Sequence, residues 1–240
     1  MDQDKNLLII FIKNPIEGLV KSRLAASIGD YPAFLIYKEL LEKARDLAIS
    51  TPFAKAVFYS NFIDDNDIWE NDLFGKFLQR GDGVGNRMKN AFADSFLDGF
   101  ERVVLTGSDI IGLTPEIIEQ AFAGLDNSDV VLGPAKDGGY YLVGMNRLYV
   151  GLFRDIDWGT EKVLSQTIKN VQSLKLSHSI LPELSDLDRI DDFQFLSNEE
   201  RQKFEGIIDK LEWVETIAEA NSSPDLPGNL SNKQNPRPGF

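Results

Sequence analysis

The feature that most constrains the fold is a series of short apolar runs separated by segments with helical periodicity. The first run, Leu7–Ile12, does not alternate between polar and apolar residues, as expected for a strand covered on both faces. Similar runs recur at Val103-Val104-Leu105 and Val130-Val131-Leu132. Strands that alternate with helices favour a parallel sheet between two helical layers. The sequence therefore predicts an α/β fold with three layers and a mostly parallel, mixed central sheet.

The remaining elements follow from the same patterns. Strands are predicted at 54–59, 76–79, 140–145 and 176–181, and helices at 32–48, 86–100, 160–170 and 198–220. A further helix is predicted to start at Thr114-Pro115, because Thr can cap a helix and Pro suits its first turn. Residues 1–220 contain no internal repeat or linker, which predicts a single domain with a C-terminal helix. Residues 221–240 are rich in Asn, Ser, Pro and Gly and predict an extended or flexible tail, which a second subunit of a homodimer could hold.

Composition excludes several classes of function. A formal charge of −13 argues against a nucleic-acid partner, since such binding uses Lys and Arg to neutralise phosphates. No apolar run approaches the length of a membrane span, and no cleavable signal is recognised, so a cytoplasmic location is expected. Cysteine is absent, which excludes disulfides and thiolate metal sites. The single histidine, His178, cannot build a multi-histidine zinc site.

Carboxylates follow two of the predicted strands. Thr106-Gly107-Ser108-Asp109 closes one apolar run, and Asp137-Gly138-Gly139-Tyr140 follows another. Open α/β sheets bind ligands at the carboxyl ends of their strands. A carboxylate at each of two such ends, one beside paired glycines, could hold a hard cation against a phosphate-bearing ligand. This arrangement suggests an enzyme that acts on a nucleotide.

Cationic and glycine-rich segments supply candidate anion sites. After the first strand, Lys13, Lys21 and Arg23 could direct donors at a phosphate, or the loop that carries them could simply be solvated. This loop matches neither a Walker loop nor G-x-G-x-x-G. The turn at 81–87 precedes a helix, and its backbone N–H groups together with Arg87 could bind an anion, although such glycines are usually only a turn.

Two further segments leave alternatives open. The acidic stretch at 186–192 is either a charged cap before a helix at Phe193 or the source of a metal ligand, Asp188. Trp158 is either a core aromatic or part of a pocket wall next to a helix start.

In sequence order these motifs resemble a family of nucleotide-diphospho-sugar transferase-like proteins, related to cofactor nucleotidyltransferases. The resemblance covers roughly residues 7–195. The motifs are Phe11-x-Lys13-x-Pro15-x-x-Gly18-x-x-Lys21-Ser22-Arg23-Leu24, Gly107-Ser108-Asp109, Gly133-Pro134-x-x-Asp137-Gly138-Gly139-Tyr140-Tyr141-Leu142-x-Gly144, Trp158-x-Thr160 and Asp186-x-Asp188-x-x-Asp191-Asp192. The family implies the Rossmann-like GT-A fold, a nucleotide site at the carboxyl edge of the sheet, and Mg²⁺ or Mn²⁺. This sequence departs from the family where Ile110-Ile111 replace a common proline and Gly83-Val84-Gly85 replaces an Asp-Leu-Gly turn.

The leading hypothesis is metal-dependent glycosyl transfer from a nucleotide-diphospho-sugar. Asp109 and Asp188 are the predicted metal ligands, and Asp137 is the predicted general base. The predicted substrate-binding residues are Lys13, Gly18, Lys21, Arg23, Arg87, Gly138, Gly139, Tyr140 and Trp158. A nucleotidyltransferase acting on a phosphorylated small molecule is an alternative, as is a non-catalytic nucleotide-binding protein.

Overall fold

The computed structural model describes residues 5–209. Its strands are β1 (Asn6–Ile12), β2 (Ala54–Tyr59), β3 (Gly75–Leu78), β4 (Arg102–Gly107), β5 (Ile110–Ile111), β6 (Val130–Pro134), β7 (Tyr140–Met145), β8 (His178–Ile180) and β9 (Ser185–Asp186). Its helices are α1 (Ser22–Ile28), α2 (Asp30–Ile49), α3 (Gly83–Leu97), α4 (Pro115–Gly124) and α5 (Val163–Ser173), with 3₁₀ turns at Val150–Phe153 and Ile190–Phe195. A last helix starts at residue 198 and continues to residue 209. The predicted tail at 221–240 lies outside the described residues.

Seven strands form the central sheet in the order β3-β2-β1-β4-β7-β6-β8. Every pairing in this sheet is parallel except the two made by β7, which runs antiparallel to β4 and to β6. The carboxyl ends of β1, β2, β3 and β4 therefore meet at one edge of the sheet. A second, two-stranded sheet joins β5 to β9 beside that edge. The predicted α/β class with a mostly parallel, mixed sheet is confirmed.

Alternate residues of β1 explain why the strand reads as continuously apolar. Leu8 and Ile10 face one side of the sheet and pack in the core formed with α2 and α4. Leu7 and Ile9 face the other side and pack in the core formed with α3 and α5. Successive side chains of a strand point to opposite faces, so a strand between two helical layers must be apolar at every position.

A third apolar cluster positions the segments that carry the predicted site. Leu24 of α1 and Leu187, which follows β9, are fully buried in this cluster with Phe204 of the last helix. Because neighbouring residues of an extended segment point in opposite directions, burial of Leu187 turns Asp186 and Asp188 away from the cluster. The same packing fixes α1 directly after the cationic loop.

No helix in the described part of the chain has the length and apolar character that crossing a membrane requires.

Candidate functional site

A cleft of about 470 Å³ lies at the carboxyl ends of β1 and β4. It brings together four of the predicted site residues on the cationic and acidic segments, Lys13, Lys21, Arg23 and Asp109, and a fifth, Asp188, closes one side. The other lining residues are Phe11, Ile12, Ser22, Tyr37, Gln79 and Ser108. Strand ends at a switch in strand order are the usual ligand sites of such sheets.

The loop between β1 and α1 is held in shape by its backbone. Gly18 has a φ of 75°, a left-handed conformation that favours glycine, and Lys21 also has a positive φ of 50°. The hydroxyl of Tyr37 on α2 accepts a hydrogen bond from the Lys13 N–H at 2.9 Å and donates one to the Lys13 carbonyl at 3.0 Å. These bonds fix the backbone of Lys13 while its side chain stays exposed at the cleft.

Lys13 and Lys21 lie in this loop and Arg23 lies in the first turn of α1, and these three cations have different surroundings. The Lys21 side chain is only 5% exposed, forms an ion pair with Asp109 and donates to the Leu187 carbonyl at 2.6 Å. Arg23 is 61% exposed and pairs with Asp188 at 2.6 Å. Lys13 and Arg23 are therefore open to a ligand, whereas Lys21 is committed to protein groups.

Acidic side chains gather opposite these cations. Pairing of β5 with β9 sets Ile110 opposite Asp186, and the Leu187 N–H donates to the Asp109 carbonyl at 2.9 Å. Burial and, after it, the nearby charges of Asp109 and Asp137 raise the pKa of Asp186 to about 6. Asp186 therefore lies within the electrostatic reach of two other carboxylates, whose hard oxygen atoms suit a cation.

This group fits a divalent cation only in part. Within residues 5–209, no three His, Asp or Glu side chains are close enough together to hold one metal ion. Mg²⁺ usually takes one or two carboxylates and completes its shell with water and substrate phosphates, which is compatible with this arrangement. Asp109 and Asp188 remain the predicted ligands, and each is paired with a cationic side chain in this structure.

The turn after β6 is shaped by packing as well as by sequence. The Asp137 side chain is exposed, and its Oδ1 accepts a hydrogen bond from the Gly139 N–H at 2.8 Å. Gly138 has a φ of 88°, and a Cβ there would lie 2.3 Å from the carbonyl oxygen of Glu161. The fold itself therefore requires glycine at position 138, without any ligand.

Gly85, in the first turn of α3, is also required by packing. A Cβ on Gly85 would lie 2.4 Å from the indole ring of Trp158. Trp158 in turn meets Tyr140 edge to face, with 6.4 Å between ring centroids. In the described structure these two aromatics pack on the α3 side of the sheet and are not part of the cleft wall. The interpretation of Trp158 as a core aromatic therefore accounts for its contacts.

Arg87 does not line the cleft, but it contacts Gln79, which does. Its guanidinium donates to the Gly81 carbonyl at 3.2 Å and to Oε1 of Gln79 at 3.4 Å. Gln79 lines the cleft, and its amide donates to the carbonyls of Ile12 and Phe58 at 2.9 Å each.

Four residues of the site region were missed in the sequence, namely Tyr37, Gln79, Ser108 and Asp186. Gln79 ends a predicted strand, and Ser108 and Asp186 belong to motifs already noted, so strand ends and motif membership could have identified them. No sequence pattern identified Tyr37, because its role depends on how α2 packs beside the loop between β1 and α1.

The chain is similar to one family model and to several solved structures. A family model described as "Uncharacterized protein conserved in bacteria (DUF2064)" matches residues 44–160, a range that includes Asp109 and Asp137 but not the cationic loop. The chain matches no curated protein sequence. A crystal structure from Desulfovibrio desulfuricans G20, described as a "putative nucleotide-diphospho-sugar transferase", is 27% identical, with a TM-score of 0.75 over 86% of this chain and 98% of that one. The resemblance to nucleotide-diphospho-sugar transferase-like proteins is confirmed.

More distant structures share the fold alone. The inositol-1-phosphate CTP transferase from T. maritima is 12% identical, with a TM-score of 0.52 over 85% of this chain and 96% of that one. The 4-diphosphocytidyl-2C-methyl-D-erythritol synthase from Anaerococcus prevotii DSM 20548 is 11% identical, with a TM-score of 0.54 over 85% and 97% of the two chains. The Rossmann-like architecture expected from the sequence is therefore also found in these two proteins.

Proposed function

We propose that the chain is a transferase that binds a nucleotide-diphospho-sugar in the cleft and transfers its glycosyl group. The observation that carries the proposal is the meeting of exposed cations, Lys13 and Arg23, with Asp109 at the carboxyl ends of β1 and β4. Cations on one wall suit phosphate oxygens, and each charged hydrogen bond contributes about 1.5–3 kcal/mol. The 27% identical protein from Desulfovibrio desulfuricans supports the same class of donor.

The residues take distinct roles in this proposal. Lys13 and Arg23 bind the diphosphate, and Asp109 with Asp188 would hold Mg²⁺ or Mn²⁺. Such an ion, when bound, neutralises negative charge that develops on the leaving nucleotide. Asp137 accepts the proton of an acceptor hydroxyl, and its bond from the Gly139 N–H holds the carboxylate in one orientation.

Nucleotidyl transfer is a second candidate, favoured by the fold shared with the inositol-1-phosphate CTP transferase and the 4-diphosphocytidyl-2C-methyl-D-erythritol synthase. The same cations and carboxylates would bind a nucleoside triphosphate and a phosphorylated acceptor. The two reactions differ in their products: glycosyl transfer releases a nucleoside diphosphate, whereas nucleotidyl transfer releases pyrophosphate.

Calorimetry followed by ³¹P NMR tests the proposal. The protein is titrated with common nucleotide-diphospho-sugars and nucleoside triphosphates, each with Mg²⁺ or Mn²⁺, and binding pairs are then incubated with candidate acceptors. We expect a nucleotide-sugar to bind and a nucleoside diphosphate to appear. Pyrophosphate release would replace the proposal with nucleotidyl transfer, binding without turnover would indicate a nucleotide sensor, and no binding by the folded protein would reject all three.

A further inference from the structure

Lys21 has surroundings unlike those of the other cations in the cleft. Its side chain is 5% exposed, whereas that of Arg23 is 61% exposed. Its ammonium group pairs with Asp109 and donates to the carbonyl of Leu187 at 2.6 Å. A left-handed backbone at φ 50° turns this side chain inward at the start of α1. The fold therefore places a fixed positive charge among acidic groups.

The partner of Lys21 is the predicted metal ligand. Asp186 lies within the electrostatic reach of Asp109, Asp137 and the buried Lys21 ammonium, so this ammonium has acidic neighbours besides its partner. A divalent cation at Asp109 and the Lys21 ammonium would repel each other, because like charges interact strongly where water is scarce. One of the two cations must move if the other is to bind Asp109.

We propose that Lys21 is a built-in counter-ion that competes with the divalent cation for Asp109, so that metal enters the cleft only together with the nucleotide. The proposal rests on the assignment of the metal to Asp109 in the proposed function. Without nucleotide, a metal ion would displace the ammonium and leave a buried charge without its partner. With nucleotide, the phosphate oxygens would supply negative charge for both cations, because Lys21 lines the same cleft.

Manganese binding in the absence of nucleotide tests this competition directly. Free Mn²⁺ is measured by electron paramagnetic resonance during titration of the wild type, Lys21→Met and Lys13→Met. We expect Lys21→Met to bind Mn²⁺ at least about tenfold more tightly than the wild type, because Asp109 loses its competing charge. Lys13→Met removes the same charge from the exposed wall of the cleft, and we expect it to change the affinity less than about threefold.

Two further variants control for misfolding of Lys21→Met and for binding of Mn²⁺ at a residue other than Asp109. Lys21→Gln keeps an amide donor for the Leu187 carbonyl while removing the charge, and it should bind Mn²⁺ more tightly in the same way. Adding Asp109→Asn to either Lys21 variant should abolish the gain. Folded Lys21 variants with wild-type Mn²⁺ affinity would overturn the proposal, and so would a gain that survives Asp109→Asn.

The wild type alone supplies a third measurement. Mn²⁺ should bind at least about tenfold more weakly without nucleotide than with it, and equal affinities would overturn the competition. These results can be distinguished from failure of the proposed function. If the proposed function is wrong, the wild type does not bind nucleotide, whereas the comparison of Lys21 variants uses Mn²⁺ without nucleotide.

Discussion

Asp186 provides a test of the site's electrostatics that needs no ligand. Burial, followed by the charges of Asp109 and Asp137, raises its pKa from 3.8 to about 6. The folded protein therefore binds this proton more tightly than the unfolded chain does, so ionisation of Asp186 costs stability. The cost is absent below the unfolded pKa, grows as the pH rises between the two values, and is complete above the folded pKa.

The size of this loss in stability follows from the shift in the pKa of Asp186. One pKa unit corresponds to about 1.4 kcal/mol, and partial solvent exposure reduces the full shift to about 2 kcal/mol of destabilisation at neutral pH. Asp186→Asn removes the ionisable group and keeps the side-chain shape. We expect this variant to raise the free energy of unfolding by about 2 kcal/mol at roughly pH 7.5 and by less than about 0.7 kcal/mol at roughly pH 4.

Urea unfolding at the two pH values, with a chelator present, measures this difference. Asp188→Asn is the matched control, because it removes a neighbouring carboxylate whose partner, Arg23, is mostly exposed. We expect the control to change stability by less than about 1 kcal/mol. A stabilisation by Asp186→Asn that is equal at both pH values, or none near pH 7.5, would refute the reasoning.

Two predictions concern the glycines that support the site. Gly138→Ala forces a Cβ to 2.3 Å from the Glu161 carbonyl at a positive φ, and we expect thermal unfolding to show a loss of about 2–4 kcal/mol. Gly159→Ala has a similar φ of 79° but nothing within 4 Å, and should cost only about 1 kcal/mol, so equal losses would reject the packing argument. Gly85→Ala clashes with the Trp158 ring, and its destabilisation should shrink by at least about 1 kcal/mol when Trp158 is already alanine. Additive losses in that double-mutant cycle would show that Trp158 does not explain Gly85.

Local pattern was enough to predict the central sheet. Strands β2 and β7 begin and end where their apolar residues predict, because both are sealed between helical layers. Helix α4 begins after Thr114 at Pro115, as its start signals indicate. These elements are determined by burial and by short-range chain preferences, which a single sequence displays.

The elements that build the site were harder to predict. Helix α1 was missed because it has seven residues, follows an N-cap residue, Lys21, that makes no side-chain cap, and buries only Leu24. Strands β5 and β9 have two residues each and exist only because segments distant in sequence meet. The register of the β5–β9 pairing decides which carboxylate lies near Asp109. The sequence does not display this register, so Asp188 was predicted as a site residue and Asp186 was missed.

The pairing of Lys21 with Asp109 determines how Asp109→Asn affects stability. A carboxylate clustered with other acids predicts that Asp109→Asn has little effect on stability. The structure gives Asp109 a buried ammonium as its partner, and the variant leaves that charge without a full counter-charge. We therefore expect a loss of about 2 kcal/mol, which urea unfolding would measure.

The most direct test of the account is the metal dependence of nucleotide binding in Asp109→Asn. Calorimetry would compare this variant with the wild type and with Asp98→Asn, an exposed change at the end of α3, each titrated with a nucleotide-diphospho-sugar with and without Mg²⁺. The account predicts that Mg²⁺ strengthens binding at least about tenfold in the wild type and in Asp98→Asn but not in Asp109→Asn, which remains folded. A full Mg²⁺ effect in Asp109→Asn would place the ion elsewhere and contradict the account.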